Sequence, residues 1–504
     1  DPLGPTFFCL LLLACISPLK IAYMDDITLG GDLAADVAMI KAEGPSRGLC
    51  LNESKCEAIT TSGQSSIDLL QEFIQLTPSS ATLLGAPLMV GQAMDECLSK
   101  RCGELERAIT RLELITSHDA LVLLRSSFSA PKVQHTLRAS PCFGNRSLLK
   151  FDQLLRDGLR KICNISLTED QWLQASLPVR SGGLGIRRVS SLAIPAFLAS
   201  AVGTRDLQDQ ILHNSAITPY LDLDICQLSW VAQHGQIPVQ SASKQHAWDK
   251  PTIAAELSQL MERQKDNYDR ARLLAAASEH SGDWLHALPI SSCGLRLDDE
   301  AVRIAVGLRL GIDICEPHPC VCGQLVDARG SHALSCKRTA GRLIRHNHLN
   351  DIICRSMTRA AIPASKEPTG LVRSDGKRPD GLSLIPWREG RCLVWDVTVA
   401  DTTAASYLHS TSVTAGSAAE SAARRKETKY TELSHRYEFV PIAMETHGPL
   451  DTKAVSFLSE LGRRITTATS DMQETSHLFQ RLSVALQRFN AVCVSDTFVR
   501  ETED

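Results

Sequence analysis

Hydrophobic positions change their spacing several times along this chain, and the changes mark out its parts. A short apolar run, Leu19-Lys20-Ile21-Ala22, leads into Tyr23-Met24-Asp25-Asp26 and resumes as Ile27-Thr28-Leu29 before Gly30-Gly31. Two extended segments meeting at an acidic pair predict a hairpin over Ile21–Leu29. Asp32 to Lys41 has amphipathic helical spacing, and Lys55 to Thr61 reads as a strand. From residue 93 to 210 the period becomes helical. Leu98, Cys102, Leu105, Ile109, Leu112 and Leu114 fall mostly three or four apart on one broad face, and Ala120 to Phe128 and Leu148 to Ile162 continue the pattern. A turn at Gly182-Gly183-Leu184-Gly185 opens an Ala/Ser-rich helix ending near Ala201. Residues 210–300 are rich in Gln, Ser, His and Asp and read as a linker bearing a few helices, with helices predicted at Thr252–Ala277. Further on come an apolar helix to about Ala361, a buried strand over Cys392–Val399, a helix over Ala415–Tyr430, a strand near Phe439–Gly448 and a helix containing Gln480–Arg488. Period 2 and period 3.6 segments in separate blocks predict a multidomain α+β fold.

Composition changes this picture little, with two exceptions. The 504 residues are enough for several domains, and 43% apolar with 22% charged residues is ordinary for a globular protein. The formal charge of −4 argues against binding nucleic acid through bulk charge, leaving only local basic clusters for that task. The 17 cysteines are numerous and odd in number, and no secretory signal is evident, so reduced thiols or zinc ligands are expected rather than a disulfide framework. The run Phe7–Ile16 is apolar but short of the roughly 20 residues that span a bilayer, and its start is acidic. It predicts a buried helix, and no membrane partner is expected.

Three clusters carry candidate chemistry. Asp25 and Asp26 repel each other at the tip of a hairpin, a cost that a divalent cation removes. The competing reading is a solvated Asp-Asp turn. Cys320, Cys322, His332 and Cys336 read C-x-C-x9-H-x3-C, a closed set of three thiolates and one imidazole suited to structural zinc. Cys315 and His318 are spare donors nearby, so the first ligand is the least fixed, and reduced cysteines beside a surface histidine are the bland alternative. Pro379-Asp380 precedes one strand and Asp396 lies inside the next, which can bring two carboxylates onto one Mg²⁺ against a phosphodiester.

These motifs, in this order, resemble the reverse transcriptases of non-LTR (LINE-type) retrotransposons, in the branch that ends in a restriction-like endonuclease. Tyr23-Met24-Asp25-Asp26 is similar to motif C, Asp1-Pro2-Leu3-Gly4-Pro5-Thr6-Phe7-Phe8 to the end of motif B, Gly48-Leu49-Cys50-Leu51-Asn52-Glu53-Ser54-Lys55-Cys56 to motif D, and Leu83-Leu84-Gly85-Ala86-Pro87 to the primer grip. The resemblance implies Mg²⁺ on Asp25 and Asp26 and a general-acid role for Lys55 near the incoming triphosphate. It implies a CCHC zinc knuckle, and a PD-(D/E)xK nuclease with Mg²⁺ on Asp380 and Asp396. Thr398 stands where that pattern has its lysine, so the lysine is expected from the following helix, as Lys426 or Lys429, with Lys426 preferred. Glu367, Glu420, His346 and Glu445 are supporting candidates. The implied organisation is a partial palm over 1–90, a helical thumb over 91–210, a helical linker over 211–300, the knuckle over 301–345 and the nuclease over 346–504. Implied partners are the element's RNA and target DNA, with nuclear action after cytoplasmic translation. No motif A carboxylate is present, so the expectation is a fragment that needs fingers and half a palm from elsewhere in the same polyprotein and does not polymerise DNA by itself. An inactive nucleic-acid-binding relic is the alternative.

Overall fold

The computed structural model describes residues 15, 17, 19–23, 26–31, 33–59, 70–211, 221–372 and 376–498. Asp25, the segment Asp1–Phe8 and most of the run Phe7–Ile16 lie outside them. The fold is α+β, with small sheets among many helices. The chain divides into two compact units, one of residues 1–104, 132–151 and 189–252, the other of residues 105–131, 152–188 and 253–504.

In the first unit, β1 (Leu19–Tyr23) and β2 (Asp26–Gly30) pair antiparallel, with Tyr23 opposite Asp26. The expected hairpin is therefore present. The helix Ala34–Glu43 follows and buries Val37 and Ile40. Its buried Asp36 accepts from the Ser17 backbone N–H at 2.8 Å. Of the expected strand at Lys55–Thr61, Glu57–Ile59 forms β3, which pairs parallel with β4 (Ile74–Leu76), while Thr60 and Thr61 lie outside the described residues. Lys55 belongs instead to a single 3₁₀ turn, Glu53–Lys55. The hairpin at Leu83–Pro87 forms as β5 (Thr82–Leu83) and β6 (Ala86–Pro87). Its turn places Leu84 at φ 49° and Gly85 at φ 76°, and consecutive left-handed residues are what a two-residue hairpin demands.

The second unit holds a short hairpin, β7 (His318–Pro319) and β8 (Leu325–Val326), and one larger sheet. That sheet has the order β12-β11-β10-β9, where β9 is Ala364–Lys366, β10 Gly381–Arg388, β11 Arg391–Ala400 and β12 Glu438–Glu445. β9, β10 and β11 run antiparallel, while β12 joins β11 in parallel after the crossover helix Ser417–Lys429. A parallel return needs such a crossover. β11 is buried from Leu393 to Val397, as expected of a strand covered on both faces. Leu393, Trp395 and Val397 face a core with the helices Gly341–Arg359, Thr452–Thr469 and Glu474–Ser495. Ala400 and Ala443 face Ala418, Ala419, Ala422 and Ala423 of the crossover helix. The helices expected at Thr252–Ala277 are two, Gln245–Arg263 and Asn267–Ala276. Asp266 separates them, because its side chain caps the second helix by accepting from the Asp269 N–H at 2.7 Å.

Candidate functional site

The side chains that meet where β10 begins beside β11 are fixed from four directions. Alternation along β11 sends Asp396 to the face opposite Trp395, toward the crossover helix. Ala419, Ala422, Ala423 and Lys426 recur there at i, i+3, i+4 and i+7, one helical stripe. Three alanines let the helix lie close to the sheet, and Lys426 extends the stripe to Asp396, where its ammonium donates to the Asp396 carboxylate. The Asp396 side chain is 3% exposed and that of Lys426 25%. Burial first, and then the neighbouring Asp380 charge, push the Asp396 carboxyl above the ordinary carboxylate range, against the pull of Lys426. Lys429, the alternative lysine, donates to Tyr430 Oη at 2.8 Å. Tyr430 in turn donates to the Arg378 carbonyl at 2.9 Å, pinning the segment that enters Pro379-Asp380.

Asp380 is held by backbone and side chain alike. Its N–H donates to the Trp395 carbonyl at 3.0 Å and its own carbonyl accepts from the Glu367 N–H at 3.0 Å. Its Oδ2 accepts from the Val397 N–H at 2.6 Å and lies 3.0 Å from His346 Nε2. The Asp380 contact raises the His346 imidazole above its ordinary value, against the effect of burial. One turn along the same helix, Asn350 donates to the Asp380 carbonyl at 3.1 Å and accepts from Trp395 Nε1 at 2.9 Å. Gly381 completes the arrangement: a Cβ there would lie 1.9 Å from the Trp395 ring, so only glycine lets β10 run under the indole. Asn350 was not among the candidates drawn from sequence. Its i, i+4 relation to His346 was the available signal.

The other acidic candidates do structural work. Glu445 is buried and accepts from the Ala418 and Ala419 N–H groups at 2.9 and 3.2 Å, capping the helix that carries Lys426. Glu420 accepts from the Thr452 N–H at 2.7 Å at the start of the next helix, and Glu367 pairs with Arg378. Arg188 pairs with Glu256, and Arg488 donates to the Gly294 and Arg296 carbonyls, so both are anchored within the unit.

Cys320, Cys322, His332 and Cys336 come together, with their ligand atoms all within 4.8 Å of one another. Cys320 Sγ lies 3.7 Å from Cys336 Sγ, and Cys322 Sγ 3.1 Å from His332 Nε2. β7, β8 and Gly323 at φ 86° form the tight turn that presents the first two thiols. Burial pushes the Cys320 thiol up to about 11, a strain that a metal bound to the thiolate removes. The donor set fits structural zinc, which all four residues together would hold. The spare donors are engaged elsewhere: Cys315 Sγ donates to the Asp327 carbonyl at 3.3 Å, and His318 stacks on Phe498 while its Nε2 lies 2.8 Å from Thr497 Oγ1. Buried Arg345 ties the cluster to the sheet domain by donating to the Leu334 carbonyl at 3.0 Å and to Asn490 Oδ1 at 2.7 Å. From residue 328 to 350 the chain has no Asp or Glu, and Lys337, Arg338 and Arg342 are exposed between the cluster and His346.

In the first unit, Asp26 opens β2 and is exposed, as is Lys55 in its 3₁₀ turn. Asp25, their expected companion, is outside the described residues. Among the described residues no helix is long and apolar enough to cross a membrane.

No family model matches the chain. It is 23% identical over 500 residues to the retrotransposable element SLACS 132 kDa protein of Trypanosoma brucei gambiense. This chain is related to a retrotransposon protein. The match covers 93% of the chain and 37% of that relative, so the chain corresponds to little more than a third of the relative's length.

Proposed function

We propose that residues 346–504 are a restriction-like nuclease that nicks target DNA with Mg²⁺, and that Asp25, Asp26 and Lys55 belong to the RNA-directed DNA polymerase of the same retrotransposon protein. The observation that carries the nuclease reading is the meeting of Asp380, buried Asp396 and the Lys426 ammonium where β10 begins beside β11. Lys426 pairs with Asp396, and burial together with the neighbouring Asp380 charge raises the Asp396 carboxyl above its ordinary range. That is the electrostatic deficit a divalent cation fills, so the donor set fits Mg²⁺. Asp380 and Asp396 would hold it, and its charge would lower the pKa of the attacking water and stabilise the leaving oxygen. Lys426 orients the water or balances the growing charge on the phosphate, at a place where water is partly excluded.

The remaining assignments extend this reading. The palm, thumb and linker over 1–90, 91–210 and 211–300 would grip RNA template and primer. The zinc cluster within 301–345 would hold the nuclease to the rest and, with Lys337, Arg338 and Arg342, approach DNA phosphates. Element RNA and target DNA are the partners, and the nucleus is the place of action. Nicking of target DNA followed by priming from the exposed 3′-OH is the coupled activity proposed for the intact element.

Supercoiled plasmid treated with the full chain and Mg²⁺ tests the nuclease. Asp380→Asn and Asp396→Asn should each lower the nicking rate by at least about 100-fold, the scale of losing a charge-stabilising group. Nicking that survives both substitutions sinks the proposal.

A further inference from the structure

We propose that His346 is a positioning residue that turns the Asp380 carboxylate so that one oxygen, Oδ1, is presented to the cation. The inference rests on the nuclease reading above and adds to it a residue from outside the sheet. Oδ2 of Asp380 has two neighbours, the Val397 N–H at 2.6 Å and His346 Nε2 at 3.0 Å. Together they occupy that oxygen, and no hydrogen bond to Oδ1 is found among the described residues. The Val397 N–H alone leaves the carboxylate able to swing about its Cβ–Cγ bond, because one linear contact fixes a point and not a plane. A second donor from a different element removes that freedom.

The imidazole is itself held in place. Its two ring nitrogens meet oxygens on opposite edges, Nδ1 lying 3.2 Å from Asn347 Oδ1 and Nε2 3.0 Å from Asp380 Oδ2, so the ring plane is fixed from both sides. The helix is anchored on either side of this contact. Arg345, one residue earlier, is buried and bonded to the Leu334 carbonyl and Asn490, and Asn350, one turn later, holds the Asp380 carbonyl. The helix Gly341–Arg359 therefore grips both the backbone and the side chain of Asp380 through residues four apart. Outer partners that orient a ligand typically change metal affinity by about 10–100-fold when removed.

Mn²⁺ is a spectroscopic probe for this site. The full chain, with zinc supplied first to fill the thiolate cluster, is titrated with Mn²⁺ without DNA, and free Mn²⁺ is read by electron paramagnetic resonance. His346→Ala should weaken Mn²⁺ binding by about 10–100-fold. His346→Gln, whose amide N–H can still donate to Asp380, should retain most of the affinity, and it keeps the test decisive if the alanine variant folds poorly. Wild-type affinity in both variants overturns the positioning role. So does a directly coordinated imidazole nitrogen in the electron spin echo spectrum of the wild-type complex, because His346 would then be a ligand. A different result sinks the underlying nuclease reading: Mn²⁺ binding to the wild type that Asp380→Asn and Asp396→Asn leave unchanged, or no saturable binding at all.

Discussion

Lys426 and Asp451 show how single charges carry weight in this protein. Lys426 is the ammonium that reaches buried Asp396, so Lys426→Met leaves that carboxylate beside Asp380 without its counter-charge. The loss should cost about 3 kcal/mol of stability, and Asp396→Asn in the same chain should restore most of it, since removing both charges also removes the uncompensated one. Urea denaturation of the single and double variants measures this, and equal stability of the two would refute the pairing. Asp451 is a different case. It is buried at the start of the helix Thr452–Thr469, where it accepts from the Ala443, Lys453 and Ala454 N–H groups at 2.7, 3.0 and 3.0 Å. Burial outweighs these bonds and pushes its carboxyl up to about 6, above its ordinary value of 3.8. The folded state then holds a proton that the unfolded chain releases. This contribution to stability is fully present below about 4 and is lost as pH rises through about 6. Relative to Asp451→Asn, which does not titrate, the wild type should gain about 1 kcal/mol between pH 7 and pH 5. A urea midpoint difference that stays flat across that range would contradict it.

Among the elements, those legible in the sequence were the ones whose hydrophobic pattern is local. β11 reads as a buried strand because five consecutive positions are buried on both faces, and the helices at 146–163 and 474–495 follow their apolar stripes. The resemblance had named Asp380, Asp396 and Lys426 together; the fold brings these three side chains near one another, and their role is the proposal above. What the sequence did not disclose depends on tertiary placement. The buried role of Glu445 arises only when β12 ends opposite the N–H groups of a helix 26 residues earlier in the chain. The indole over Gly381 requires β10 and β11 in register, and the break at Asp266 depends on a side chain choosing a cap over a helical turn. The segment between Cys336 and His346 combines both kinds of information. Its lack of acid is visible in the sequence, and the exposure of Lys337, Arg338 and Arg342 is a property of the fold. If these three meet DNA phosphates, replacing all three by Ala should weaken duplex binding and lower the slope of log K against log salt by about 3, one unit for each released counterion. An unchanged slope would remove this segment from the DNA contact.

For the whole molecule, the Cys320, Cys322, His332 and Cys336 cluster stands out because it shares supports with the candidate nuclease site. Arg345 is buried, forms no ion pair within 4 Å among the described residues, and depends on the Leu334 carbonyl and Asn490 for its hydrogen bonds. Leu334 lies between ligands His332 and Cys336, so a metal that fixes those two also fixes the acceptor of a buried guanidinium. Gly341, the first residue of the same helix, donates its N–H to Asp496 at 2.8 Å, joining the helix start to the end of the chain's last long helix. Removing the metal frees the loop 320–336, leaves Arg345 with one fewer partner inside the protein, and loosens the helix that holds Asp380 through His346 and Asn350. A buried cation left short of acceptors costs several kcal/mol, so the effect should not stop at the loop. Stripping zinc with a chelator should therefore lower the thermal midpoint and speed amide exchange both in 318–338 and in the first three turns of Gly341–Arg359. Zinc restored at one equivalent should reverse both. Arg345→Met should separate the two responses, since an apolar side chain needs no acceptor: chelation would still loosen 318–338 but would pass less of the change to the helix. Equal exchange in that helix with and without zinc in the wild type would show that the cluster and the nuclease site are mechanically independent.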